Sequence, residues 1–100
     1  QYTSKANSFM QSLLLSRMII SLQVMHQIAS LVLLEDLEFQ AVSMGAGSLT
    51  PLVHLHHLKE LRVRGASAKS TQIGLEDAQA IATLRSLETL VIERTSKLSR

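Results

Sequence analysis

Apolar residues recur along this chain in a fixed frame. Leu31-Val-Leu-Leu34-Glu-Asp-Leu37-Glu-Phe39 reads L-x-x-L-x-x-L-x-F; Leu55, Leu58, Leu61 and Val63 repeat it, and Leu84, Leu87, Leu90 and Ile92 repeat it again. The step is 24 residues from Leu31 to Leu55 and 29 from Leu55 to Leu84. A further 24 toward the N-terminus falls on Asn7, Met10, Leu13 and Leu15, a degenerate copy whose first position is polar. A unit of this size is one supersecondary element that buries its apolar face by stacking on neighbours.

The residues ahead of each frame also correspond. Ile20-Ser-Leu22-Gln-Val-Met25-His-Gln-Ile28-Ala-Ser-Leu31 aligns without gaps on Ile73-Gly-Leu75-Glu-Asp-Ala78-Gln-Ala-Ile81-Ala-Thr-Leu84. In the middle copy Gly45 falls on Gly74, and Leu52 on Ile28 and Ile81. The five extra residues of the last interval lie between Val63 and Ile73, where the composition is that of a turn, so a loop is expected there.

Each half has its own period. Leu37-x-Phe39, Leu61-x-Val63 and Leu90-x-Ile92 alternate with period two, which predicts strands with one buried face. Leu22, Met25, Ile28, Ala29 and Leu75, Ala78, Ile81, Ala82 have helical spacing. Helix starts are expected at Ser21, at Gly74 with Glu76 and Asp77 in the first turn, and at Thr50 ahead of Pro51. The alternation predicts an α/β fold of four parallel strands with roughly three helices on one side.

At these residues the chain resembles the leucine-rich repeat family, whose consensus is L-x-x-L-x-L-x-x-N/C-x-L. Residues 73–84 are most similar to the helical half of ribonuclease-inhibitor-like repeats, and the 24-residue spacing is similar to that of bacterial and protozoan members. The resemblance covers about residues 7–95. It implies a solenoid of about four repeats, at about 7–30, 31–54, 55–83 and 84–100, with strands on the concave face and helices on the convex face. One departure stands out: the family's Asn or Cys ladder position falls on Met18, Val42, Ala66 and Thr95. Those residues cannot supply the usual Asn bonds to the turn backbone, so the turns must be satisfied in another way.

The resemblance also implies that outward residues on the strands line the concave face. Four rows are expected: Gln11, Glu35, Lys59, Glu88; Ser12, Asp36, Glu60, Thr89; Leu14, Glu38, Arg62, Val91; and Ser16, Gln40, Arg64, Glu93. Neighbouring strands lie about 4.8 Å apart, so Glu35–Lys59–Glu88, Glu38–Arg62 and Arg64–Glu93 are candidates for lateral pairing. Two readings follow: surface ion pairing that keeps the stack in register, and a mixed-charge face for a protein partner. The binding residues on the second reading are Glu35, Glu38, Gln40, Lys59, Arg62, Arg64, Glu88 and Glu93.

Composition narrows the classes. Of the 100 residues, 46% are hydrophobic and only 3% aromatic, which predicts an aliphatic core. No polar cap is evident at either end of the stack, which suggests an excerpt of a longer chain or a piece covered in an assembly; the opening Gln1 agrees with this. Cysteine is absent, so thiolate metal sites and disulfides are excluded and an intracellular setting is favoured. Gln11, Arg17, Gln23, His26 and Gln27 interrupt the apolar run of residues 9–34, so a membrane span is not expected. The formal net charge is only +2, and acids flank Lys59, Arg62 and Arg64, so a phosphate-tracking surface is disfavoured outside a ribonucleoprotein assembly.

Catalytic and metal chemistry find little support. His54-Leu-His56-His57 is the only metal-like cluster and lacks the three or four convergent ligands of a zinc site. Gly45-Ala-Gly47 lacks the phosphate-loop pattern and reads as a tight turn. Glu35 and Asp36 are strand neighbours on opposite faces, and Glu76 with Asp77 suits a helix N-terminus. No catalytic residue, cofactor or metal is assigned. The expected function is a non-catalytic protein–protein interaction module or scaffold. The alternatives are a structural subunit of a large assembly and a substrate-recruiting segment of a linked enzyme, such as a ubiquitin ligase or bacterial effector.

Overall fold

A computed structural model describes residues 10–95. Each period-two segment forms a strand, and each run of helical spacing winds into a helix. The order is β1 (Ser12–Ser16), α1 (Leu22–Ala29), β2 (Asp36–Val42), a 3-10 helix (Thr50–His54), β3 (Glu60–Gly65), α2 (Leu75–Ala82) and β4 (Thr89–Glu93). The strands form one four-stranded sheet in the order β1-β2-β3-β4, with every pair parallel. The fold is therefore mixed α/β. Asn7 of the degenerate copy lies outside the described residues, as do the rest of residues 1–9 and residues 96–100.

Register follows the frame. Leu13 pairs with Leu37, Leu37 with Leu61 and Leu61 with Leu90, so equivalent positions stack across the sheet. Leu37, Phe39, Leu61 and Val63 are fully buried, and the residues between them face the other way. Met25 and Ile28 of α1, Leu52 of the 3-10 helix and Ile81 of α2 close the core over that sheet face.

The leading leucines of each frame make the same turn three times. The N–H groups of Leu34, Leu58 and Leu87 donate to the carbonyls of Leu31, Leu55 and Leu84 at 3.0, 3.3 and 3.1 Å. Just before, Leu31, Leu55 and Leu84 donate to Ile28, Leu52 and Ile81 at 3.0, 2.9 and 3.0 Å. After β1 and β4, and within β2, one residue takes positive φ: Arg17 at 56°, Ala41 at 54° and Arg94 at 56°. At Ala41 the pairing with β3 skips a residue. The equivalent position in β3 is Gly65, where a Cβ would collide with the Arg94 carbonyl oxygen and lie 2.8 Å from the Thr71 side chain.

Two helix starts fall where expected. Ser21 caps α1, its Oγ accepting from the Val24 N–H at 3.2 Å, and Gly74 caps α2. The middle segment differs: it is a 3-10 helix capped at Leu49 rather than at Thr50, and two α-helices rather than three stand among the described residues. The physical reason is length. Residues 46–49 are spent on a turn, and Pro51 brings no N–H. What remains closes with tighter i→i−3 bonds, Leu52 to Leu49 at 3.0 Å and Leu55 to Leu52 at 2.9 Å.

The turns without Asn are satisfied mainly by backbone. Ser43 N–H donates to the Met18 carbonyl at 3.1 Å, and Ala66 N–H to the Val42 carbonyl at 2.8 Å. Beyond them, Ile20 donates to Ser43, Met44 to Ser70 and Gln72 to Met44 at 2.8, 3.0 and 3.0 Å. The extra residues between Val63 and Ile73 do loop out, but Thr71 returns to the interior. Its side chain is fully buried, and its hydroxyl donates to the Val42 carbonyl at 2.5 Å. The insertion thus adds a buried side-chain lock onto the end of β2.

Candidate functional site

The open sheet face carries the predicted rows. Asp36, Glu38 and Gln40 of β2 lie beside Glu60, Arg62 and Arg64 of β3, and Thr89, Val91 and Glu93 of β4 follow in register. Glu35, Lys59 and Glu88 immediately precede the strands and stack by backbone. Glu35 N–H donates to the Gln11 carbonyl, Lys59 to Glu35 and Glu88 to Lys59, at 2.8, 2.8 and 2.7 Å.

Side-chain pairing follows the rows only in part. Arg64 Nε donates to Glu93 Oε1 at 2.8 Å, as expected, and Lys59 Nζ lies 4.0 Å from Glu35 Oε1. The expected Lys59–Glu88 pair does not form. Nor does Glu38 take Arg62: the guanidinium reaches Glu60 at 2.7 Å and Asp36 at 3.5 Å, while Glu38 Oε2 accepts from the Gln40 amide at 2.8 Å. The physical reason is that Asp36 and Glu60 are direct neighbours across the β2–β3 ladder. Two like charges side by side repel, and one guanidinium between them relieves both. The sequence signal for this pairing is the acid-on-acid row Asp36–Glu60. Hydrogen bonding to Glu60 raises the Arg62 pKa above its ordinary value, desolvation opposes this, and the charges of Glu60, Asp36 and Glu38 add to the rise.

The face is acid-rich. On the strands it holds Asp36, Glu38, Glu60 and Glu93 against Arg62 and Arg64. Glu35, Lys59 and Glu88 lie just before the strands, so the expected placement of Glu35 and Asp36 on opposite faces of one strand does not apply. The whole chain is net +2. Each of these three cations already lies within 4.0 Å of a carboxylate. No cation among the described residues forms an ion pair with Glu38 or Glu88.

A second carboxylate site lies at the other side of the core. The Gly45–Gly47 turn is tight, with Gly47 at φ 89°. It presents N–H groups to a buried anion, the chain's own Asp77. Oδ2 accepts from Gly47 at 2.8 Å and Gly74 at 2.9 Å, and Oδ1 from Leu49 at 2.9 Å. Asp77 therefore caps α2 and fills the turn of the preceding unit. The first unit has Val24 at the matching position, so the repeat itself carried no warning of this role.

Hollows lie elsewhere on the surface. One of about 770 Å³ lies at the helix-side corner between Val53, His56, Ala82, Thr83 and Arg85. Another, about 250 Å³, opens beside β1 and is lined by apolar side chains including Leu13, Leu15, Met18, Val24 and Ile28. His54, His56 and His57 are exposed, and no metal-ligating group of three or more His, Asp or Glu gathers among the described residues. No helix among them is long and apolar enough to cross a membrane. No protein-family model matches the chain, and neither a curated protein nor a solved structure matches it significantly.

Proposed function

We propose that this chain is a leucine-rich repeat segment that binds a protein partner through the open, concave face of its sheet, without catalysis. The observation that carries the reading is the registered face itself. Glu38, Gln40, Arg62 and Arg64 stand on the two interior strands, and the ion pairs and the Gln40–Glu38 bond hold them in fixed positions. A preorganised polar surface loses little side-chain freedom on binding. Its excess of carboxylates selects a partner that presents Lys or Arg and disfavours nucleic acid on this face. The sequential parallel strands and the thrice-repeated turn support the repeat assignment.

The test is affinity capture from the native source with the full chain, followed by titration of the captured protein. Glu38→Lys with Glu88→Lys is expected to weaken binding to a basic partner about tenfold or more, and Arg62→Glu with Arg64→Glu, which makes the face more acidic, to strengthen it, while far-UV circular dichroism stays unchanged. Binding that ignores both face variants would sink the reading. A second reading, a structural subunit held in an assembly by its apolar edges, is favoured by one observation: Leu14, Leu90 and Ile92 at the two edge strands are 56%, 46% and 36% exposed.

A further inference from the structure

The turns that lead into β3 and β4 carry cationic side chains that the open face does not use. His54, His56 and His57 belong to the middle copy and Arg85 to the last, and all four are exposed. His56 and Arg85 each follow the leading leucine of their frame, Leu55 and Leu84, so they hold equivalent positions in successive copies. The two turns are bonded side by side. Ser86 Oγ donates to the His56 carbonyl at 2.8 Å, and the Glu88 and Thr89 N–H groups donate to the Lys59 carbonyl at 2.7 and 3.0 Å. Neighbouring strands in such a stack lie about 4.8 Å apart, so one small ligand can reach both side chains. The hollow of about 770 Å³ opens there, lined by His56 and Arg85 together with Val53, Ala82 and Thr83. It lies between two described units rather than at an outer edge of the sheet.

The corner is left cationic. Arg85 forms no ion pair among the described residues, unlike Lys59, Arg62 and Arg64, and no carboxylate lines the hollow. The carbonyl end of α2 is also here, but it is already served. The Thr83 hydroxyl and N–H donate to the Ala80 carbonyl at 2.6 and 3.1 Å, and the Leu84 N–H donates to Ile81 at 3.0 Å. The donors left over are the Arg85 guanidinium and the His56 imidazole, which keeps one N–H even when neutral. In the first unit the equivalents of His56 and His57 are Val32 and Leu33, so the repeat itself does not call for cations at this turn.

We propose that this hollow binds an oxyanion, a phosphate or carboxylate group whose apolar body rests against Val53 and Ala82. Arg85 grips the oxygens through its planar fork, and His56 donates from the adjoining turn. Val53 and Ala82 supply the apolar contact that small-molecule sites use for most of their area. The partner reading of the open face is not needed for this inference, which rests on the opposite corner. It is tested by two-dimensional amide NMR titration of the full chain with phenyl phosphate, benzoate and inorganic phosphate, at constant neutral pH and ionic strength. Saturable shifts confined to residues 53–57 and 82–86 are expected. Phenyl phosphate is expected to bind more tightly than inorganic phosphate, which has no apolar body. Saturation by phenyl phosphate alone assigns the site to phosphates, and saturation by benzoate alone assigns it to carboxylates. Arg85→Gln is expected to weaken binding about tenfold and His56→Leu about threefold, with circular dichroism unchanged. Arg17→Gln, an exposed cation outside the hollow, is expected to change nothing. No saturable shift with any probe would overturn the proposal. So would shifts spread alike over Arg17, Lys69 and Arg85, or an Arg85→Gln variant that binds as the wild type does.

Discussion

Replacing Asp77 tests the account of the Gly45–Gly47 turn most directly. Its carboxylate accepts three backbone N–H bonds, from Gly47, Leu49 and Gly74, and its side chain is fully buried. Leu49 is fully buried too, so its N–H has no substitute partner, and orphaning such a donor costs about 1–3 kcal/mol. The Gly47 and Gly74 bonds are only part-buried. Water can replace the acceptor there, and each loss costs about 0.5–1 kcal/mol. Asp77→Ala is therefore expected to destabilise the chain by about 2–5 kcal/mol. Asp77→Asn keeps one acceptor oxygen for the Gly47 and Gly74 donors but turns an NH2 toward Leu49, for about 1–3 kcal/mol. The assay is urea unfolding followed by far-UV circular dichroism. Glu93→Gln is the control: it breaks a half-exposed pair and is expected to cost under about 1 kcal/mol. Asp77 variants as mild as that control would refute the argument, and so would an Asn variant less stable than the Ala variant.

Two further substitutions probe the strand ends. Gly65→Ala places a Cβ against the Arg94 carbonyl and the Thr71 side chain and is expected to lower stability by about 2–4 kcal/mol, read from the same urea curves. Ala41→Gly acts in the opposite sense: Ala41 is exposed at φ 54°, where a Cβ is disfavoured, so glycine is expected to raise stability by about 0.5–1 kcal/mol, seen as a higher thermal midpoint. A loss of stability in that variant would mean that unfolded-state entropy outweighs the relieved strain.

What the sequence made legible was whatever repeats. The spacing of Leu37, Leu61 and Leu90 set both the strands and their register, because the period within each strand and the interval between frames constrain each other. Ser21 and Gly74 were readable as helix starts because capping is a local matter. The middle helix was not, since a turn took residues that the aligned copies give to helix. Pairing on the open face was half legible. The rows were right, but the partner of Arg62 depended on two carboxylates crowding it from different strands. Asp77 was the hardest to foresee. Its partners lie 30 and 28 residues away at Gly47 and Leu49 and are backbone N–H groups, which have no residue-type signature. Thr71 was hidden for the same reason, inside an insertion that composition described only as a turn.

These two unforeseen residues tie neighbouring units together. Asp77 and Thr71 both reach from the third unit into the second, to Gly47 and Leu49 and to Val42. Between the first and second units, backbone bonds join Glu35 and Asp36 to Gln11, Arg17 to Gln40, Ser43 to Met18 and Ile20 to Ser43. The Ser21 cap is local to α1 and adds nothing across that junction. The side-chain locks of Asp77 and Thr71 lie beneath β2 and β3, whose outward side chains are the charged face proposed for a basic partner. Charged side chains gain specificity from fixed positions, because misplaced charges are costly to desolvate.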